Sequence, residues 1–293
     1  MIKLSSKRHA LSFARITLPI FLTFVTCACS SQRMSSVTPK TSSSTNYVFQ
    51  CEELNSINAQ RALDPHNIQL VSWNIFKGNK EGWERDLYRL SDSRSVFVLQ
   101  EAPKRAVETA LANDPQIRDW RWQFAPGYKT RKTQTGVLTF SRGDSGQSCK
   151  LTHQEPWLRS PKASLITRYS LDGLGSELLI ANIHGVNFTL GTTAYRQQLA
   201  DLKRILLKHQ GPLIVAGDFN SWSNRRNRAV DEVFNDLRLK QIDFEPAFRK
   251  SFFGHPLDHV FYRGLLINSK RVHKLESSDH NPIQVNFRVR PSP

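Results

Sequence analysis

Eight short apolar or alternating runs, at 68–73, 96–99, 136–140, 163–169, 178–183, 213–216, 259–262 and 283–287, punctuate the chain and are mostly bounded by polar, Gly or Pro residues. Runs of this length and patterning read as β-strands. Between two of them, Tyr195, Leu199, Leu202, Ile205 and Leu206 share one face at helical spacing while Arg196, Asp201, Lys203 and Lys208 fall elsewhere, which predicts an amphipathic helix packed on a sheet. Further helices are expected near 81–90, 105–111 and 226–237. With no internal repeat and no Gly/Pro-rich break, residues 47–293 read as one α/β domain.

The segment before that domain has a different composition. Lys3, Lys7, Arg8 and Arg15 precede an uncharged, mostly apolar run from Ile16 to Ala28, the layout of a secretory leader over residues 1–29. Cys29, followed by Ser30 and Ser31, resembles the lipidated cysteine of a bacterial lipobox, although Thr26 stands where an aliphatic residue is usual and Cys27 competes. Lipidation, ordinary cleavage and an uncleaved anchor are the three fates open to it, and the run is short for spanning a bilayer. Residues 30–46 are Ser/Thr-rich and read as a tether. The expected location is the periplasm or the cell envelope, after secretion across the inner membrane. Two cysteines remain in the domain, Cys51 and Cys149, which form either a disulfide or two unrelated buried thiols.

Charge narrows the partners. The chain carries 41 Lys plus Arg against 25 Asp plus Glu, and removing the leader's four cations leaves 37 against 25, so the domain itself is basic. That balance suits an anionic ligand: a nucleic acid, a phosphoester or an anionic membrane surface. With 39% hydrophobic residues and four cysteines, the chain is neither disordered throughout nor a disulfide scaffold.

Polar residues recur where the apolar runs stop. Asn74 ends the first and Gln100 with Glu101 the second; Asn182 and His184 close another; Asp218 and Asn220 follow 213–216; Asp258 opens the next, and Asp279 with His280 precede the last. Strand ends place side chains in one crevice. Three or four carboxylates with amides and two histidines supply oxygen ligands for a hard cation and bases to activate water. Taken singly, each has a plain structural role as a turn or cap residue.

Read in order, Ser-Trp-Asn (72–74), Leu-Gln-Glu (99–101), Asn-Ile-His (182–184), Gly-Asp-Phe-Asn (217–220), Leu-Asp-His-Val-Phe (257–261) and Ser-Asp-His-Asn-Pro (278–282) resemble the motifs of the endonuclease/exonuclease/phosphatase superfamily. Trp73 to Lys77, Asn182 to Gly191 and Asp258 to Gly264 look most like its bacterial YafD-like group. The resemblance implies a two-sheet α/β sandwich with flanking helices, DNase I-like, that hydrolyses a phosphoester with Mg²⁺ or Mn²⁺. It makes His280 the general base or electrostatic partner of the attacking water and Asp258 the acid that orients its ring. It makes Glu101 the main metal ligand, with Asn74 and Asp279 close by, and has Asp218 and Asn220 position the water and the phosphoryl oxygens. His184 falls where DNase I-like members have a second histidine, an acid toward the leaving oxygen, and where abasic-site enzymes have a tyrosine. Asn187 matches a phosphate-contacting amide.

Two decoys are set aside. Residues 143–146 resemble the nucleophile loop of trypsin-like proteases but lack its framework, and a hairpin turn is expected there. Cys27 and Cys29 have no partners for a zinc site. Lys129, Arg131 and Lys132 before one strand, and Arg225, Arg226 and Arg228 after the Gly-Asp-Phe-Asn turn, favour a polyanion, with Arg225 and Arg226 as substrate contacts and Trp222 placed to stack on a base. A monomeric nuclease acting outside the cytoplasm is the first expectation. A phosphodiesterase or phosphatase on lipid head groups, favoured by a membrane tether, is the second, and a silent binding protein the third.

Overall fold

The computed structural model describes residues 47–54, 61–92, 94–131, 133–245 and 248–291. The leader, the Ser/Thr-rich segment and Cys29 lie outside the described residues. The described elements are, in chain order, β1 (Tyr47–Glu53), β2 (Ile68–Asn74), α1 (Trp83–Leu90), β3 (Ser95–Pro103), α2 (Lys104–Asn113), β4 (Arg121–Lys129), β5 (Gln134–Ser141), β6 (Ser145–Gln154), β7 (Pro161–Ser170), β8 (Glu177–His184), α3 (Thr193–Leu206), β9 (Leu213–Asp218), α4 (Asn224–Asp236), β10 (Lys240–Gln241), β11 (Ser251–Phe252), β12 (His255–Pro256), β13 (Asp258–Arg263), β14 (Leu265–Val272) and β15 (Ile283–Val289).

Two mixed sheets carry the fold. One has the order β1-β6-β7-β8-β9-β13-β10 and the other β14-β15-β2-β3-β5-β4, while β11 and β12 pair only with each other. Because side chains alternate along a strand, the central strands bury one residue on each side. Leu70, Val96 and Val98 of one sheet meet Leu178, Ile180 and Ile214 of the other between the sheets. Their neighbours Val71, Phe97 and Leu99 point outward onto Leu87 of α1 and Val107 of α2, and Leu179, Ala181 and Val215 point onto Leu199 and Leu202 of α3 and Val230 and Phe234 of α4. The layers are therefore helix, sheet, sheet, helix, the α/β sandwich with flanking helices that the motifs implied.

One local expectation is corrected. Residues 143–146 do not close a hairpin, because β5 already pairs with β3 and β4 while β6 pairs with β1 and β7. The turn is a corner that carries the chain from one sheet to the other. Cys51 and Cys149 face each other across β1 and β6 and are joined by a disulfide. No helix among the described residues is long and apolar enough to cross a membrane.

Candidate active site

Strands β2 and β3 run parallel, as do β8 and β9, and the carboxyl ends of all four reach one edge of the sandwich. There β13 and β15, the antiparallel neighbours of β9 and β2, begin. The register puts His184 beside Asp218 across β8 and β9, and Asp258 beside Asp218 on the other side. In the second sheet Asn74 pairs with Gln100, and Glu101 follows in a bulge between Leu99 and Ala102 with φ of 51°. Bulges re-aim side chains, and a left-handed non-glycine residue costs about 1–3 kcal/mol that its surroundings must offset. Here the bulge brings the Glu101 carboxylate into the cleft.

The sheets are tied together just beneath this edge. Asn182, fully buried on β8, donates from Nδ2 to the carbonyls of Leu99 and Leu138, both at 3.1 Å, and accepts from Gln100 Nε2 at 2.8 Å. Above it, Asn74 Nδ2 donates to Asp218 Oδ2 at 3.1 Å, and Asn74 Oδ1 accepts from the Phe76 amide at 3.0 Å. Asp218 Oδ1 accepts from the Asn220 amide at 2.9 Å, and Asn220, itself at φ 49°, donates from Nδ2 to the Gly185 carbonyl. Burial raises the Asp218 pKa to about 6, opposed by the His280 charge.

His280 is buried with Nδ1 2.8 Å from Asp258 Oδ2. Burial alone lowers its pKa, but the carboxylates of Asp258, Asp218 and Asp279 outweigh that and raise it to about 9. The segment bearing it is strapped down: Trp73 Nε1 donates to the His280 carbonyl at 3.0 Å, Ser278 Oγ donates to the Asn74 carbonyl at 2.6 Å, and Ser277 Oγ donates to buried Asp86 at 2.7 Å. His184 has the opposite character. Burial holds its pKa well below the usual imidazole value, and the charges of Lys162, His280 and Lys77 push the same way. Lys162 Nζ lies 3.0 Å from His184 Nε2. An ammonium only donates, so Nε2 is the acceptor and, in this state, has no proton to give a leaving oxygen.

Asn74, Glu101, His184, Asp218, Asn220, Asp279 and His280 line one cleft of about 680 Å³, together with Asn187 and three lysines, Lys77, Lys162 and Lys250. Lys77 Nζ is 3.8 Å from Glu101 Oε2, and Lys250 Nζ is 3.2 Å from Asp279 Oδ2. Asp258 stands behind His280. Two buried carboxylate oxygens, Glu101 Oε2 and Asp279 Oδ1, lack a hydrogen-bond donor. Orphaned carboxylate oxygens suit a hard cation. Among the described residues no three His, Cys, Asp or Glu side chains form a ready-made metal cage. The two orphaned oxygens are ligands of the kind Mg²⁺ takes, an ion that usually keeps several waters.

Two expected substrate contacts are placed elsewhere. Arg226 is 1% exposed: its guanidinium donates to the carbonyls of Val186, Asn187 and Asn220 and to Thr189 Oγ1, and stacks between Tyr195 and Trp222. Burial and these partners remove it as a substrate contact. Arg225 is exposed but lines a neighbouring groove with Phe253 and His255, not the cleft. Trp222 lies beneath Arg226 and donates to Asn187 Oδ1 at 2.9 Å. Sequence reasoning missed Lys162 and Lys250, which lie outside every motif it recognised; Lys77 alone sits inside one.

The comparisons agree with this geometry. A family model described as "Endonuclease/Exonuclease/phosphatase family" matches residues 71–280. A UPF0294 protein of Vibrio parahaemolyticus is 33% identical over 283 residues, covering 96% of this chain and 98% of its own length. Among solved structures, an endonuclease/exonuclease/phosphatase from Bacteroides vulgatus superposes with a TM-score of 0.60 at 15% identity, over 76% of this chain and 99% of that one. A mannosyl-6-phosphatase from Bacteroides thetaiotaomicron superposes with a TM-score of 0.51 at 16% identity, over 75% of this chain and 99% of that one. The chain belongs to the endonuclease/exonuclease/phosphatase family.

Proposed function

We propose that this chain is a phosphoester hydrolase assisted by Mg²⁺ or Mn²⁺. The observation that carries the reading is the meeting, in one cleft, of Asn74, Glu101, His184, Asp218 and His280 from separate strand ends, with Asp258 behind His280. Hydrolysis at phosphorus needs charge neutralisation on the equatorial oxygens, an oriented water and help for the leaving oxygen. Glu101, Asn74 and Asp279 would hold the cation, which supplies Lewis-acid polarisation of the phosphoryl group when bound. Asp258 fixes the His280 ring. At neutral pH that ring is a cation suited to a phosphoryl oxygen, and it accepts a proton from water only after losing its own. Lys162, whose Nζ lies 3.0 Å from His184 Nε2, faces the leaving oxygen in this reading. A solved neighbour being a mannosyl-6-phosphatase supports phosphoester chemistry in general.

The nucleic-acid reading loses two of its supports with Arg226 buried and Trp222 engaged; Lys129 and Arg131 remain exposed. In this reading the leader and Cys29 bring the activity to the cell envelope, and Cys29→Ser is expected to abolish incorporation of labelled palmitate. The test of function incubates the full chain with bis-p-nitrophenyl phosphate, supercoiled plasmid and single-stranded RNA, with Mg²⁺, Mn²⁺ or EDTA. Turnover of at least one substrate, lost in EDTA and reduced by about 10³-fold or more in His280→Ala, is expected. Equal turnover by wild type and His280→Ala would sink the reading.

A further inference from the structure

Scattered exposed apolar side chains are ordinary, but a contiguous set marks a surface that something covers. Eleven large hydrophobic side chains are exposed among the described residues, and eight of them lie in four loops, 127–134, 155–162, 185–192 and 248–256. All four loops surround the catalytic cleft. Tyr128, Leu158 and Phe188 line its mouth. Phe253 lines the groove alongside, and the Phe248 carbonyl accepts from Asn281, next to His280. The tips are bare: Trp157 and Leu158 are each 61% exposed, and Leu190 and Phe253 each 77%. Phe252 and Phe253 form a pair with ring centroids 4.3 Å apart at the turn between β11 and β12.

The charge around these tips has one sign. The four loops and the adjoining segment 221–228 contain no Asp, and their one Glu, Glu155, is 1% exposed, with Oε1 accepting from the amides of Asn187 and Phe188. Lys129, Arg131, Arg159 and Arg225 are exposed among them. An anionic partner is therefore required, and two kinds are available. A nucleic acid would use the cations and stack bases on rings, but the aliphatic tips Leu158 and Leu190 offer no ring. Trp, Phe and Leu tips interleaved with Lys and Arg are the composition of a surface that enters a membrane interface.

We propose that this edge of the sandwich docks on an anionic phospholipid bilayer, with Trp157, Leu158, Leu190, Phe252 and Phe253 entering the acyl boundary and Lys129, Arg131, Arg159 and Arg225 meeting headgroup phosphates. The cleft mouth then faces the headgroup plane. The docking stands on the rim and does not depend on the hydrolytic reading.

The experiment uses the full chain with Cys27→Ser and Cys29→Ser, so that a single introduced cysteine takes an environment-sensitive acrylodan label. One labelled position is Phe253→Cys. The control is Leu207→Cys, exposed just beyond α3. Vesicles of phosphatidylcholine with phosphatidylglycerol are expected to shift the Phe253 label to the blue and leave the Leu207 label unmoved, and vesicles of phosphatidylcholine alone to act far more weakly. Adding Trp157→Ser with Leu190→Ser is expected to raise the lipid concentration for half-maximal shift by about tenfold or more while turnover of soluble bis-p-nitrophenyl phosphate stays unchanged. No shift at residue 253, an equal shift at both labels, or a shift with single-stranded DNA and none with vesicles would overturn the proposal. Docking by a chain that turns over no phosphoester keeps it and overturns the hydrolase reading alone.

Discussion

Arg226 turns its guanidinium onto the protein's own backbone, bracing the turn after β9 against the loop after β8. Lysine carries the charge but not the planar fork, so Arg226→Lys is expected to lower stability by about 2–4 kcal/mol, read as a fall in the urea midpoint. His259 gives a pH signature of its own. Burial, then the Arg249 charge, lowers its pKa to about 3, whereas the unfolded chain titrates near the ordinary value of about 6.5. Below about 6.5 the unfolded state therefore binds one more proton than the folded state, and stability falls by about 1.4 kcal/mol per pH unit as pH drops toward about 3. Urea titrations from pH 7 to 4 are expected to show His259→Gln with a slope shallower by that one proton. At this scale the motif residues were legible because each is a polar stop to an apolar run. Lys162 and Lys250 were not, since a lysine outside any motif reads as solvated surface. Arg226 was misread because a run of arginines does not reveal which one turns inward.

The strands that sequence patterning found are those buried on both faces, β2, β3, β5 and β7 to β9 above all. Besides the two-residue strands β10 to β12, too short to show any pattern, it missed β1, β4, β6 and β14, and each has a physical reason. In β14 only Leu265 is buried; β4 contains Pro126 and Gly127; β6 opens with Ser-Gly-Gln-Ser; and β1 is an edge strand with no buried residue. Pairing across sheets was beyond reach of any local pattern, as the corner at 143–146 illustrates. The same applies to Asn182, whose amide knits β8 to β3 and β5. Asn182→Leu leaves the carbonyls of Leu99 and Leu138 without their donor, and a loss of about 2–4 kcal/mol is expected, measured by chemical denaturation. Because Gln100 Nε2 loses one of its two acceptors and keeps only the Val98 carbonyl, the mutant is also expected to hydrolyse more slowly, through misplacement of neighbouring Glu101.

For the molecule as a whole, the disulfide ties edge strand β1 to β6 across a sequence separation of 98. Reduction, or Cys51→Ser with Cys149→Ser, is expected to lower stability by about 2–4 kcal/mol, seen as a lower thermal midpoint in dithiothreitol. Architecture at this scale was legible through the order of the motifs, since strand ends that share one chemistry must share one edge. The ring of apolar tips around that edge was not, because loops scattered through the sequence meet only when the chain is folded. Order along the chain has one more consequence. The last strand, β15, does not lie at a margin: it sits between β14 and β2, directly after Asp279 and His280. A chain that stops before β15 cannot close that sheet, because β14 and β2 then have no strand between them. Asp279 and His280 are held in place only once β15 has docked, and a chain ending at Pro282 is expected to be degraded rather than weakly active.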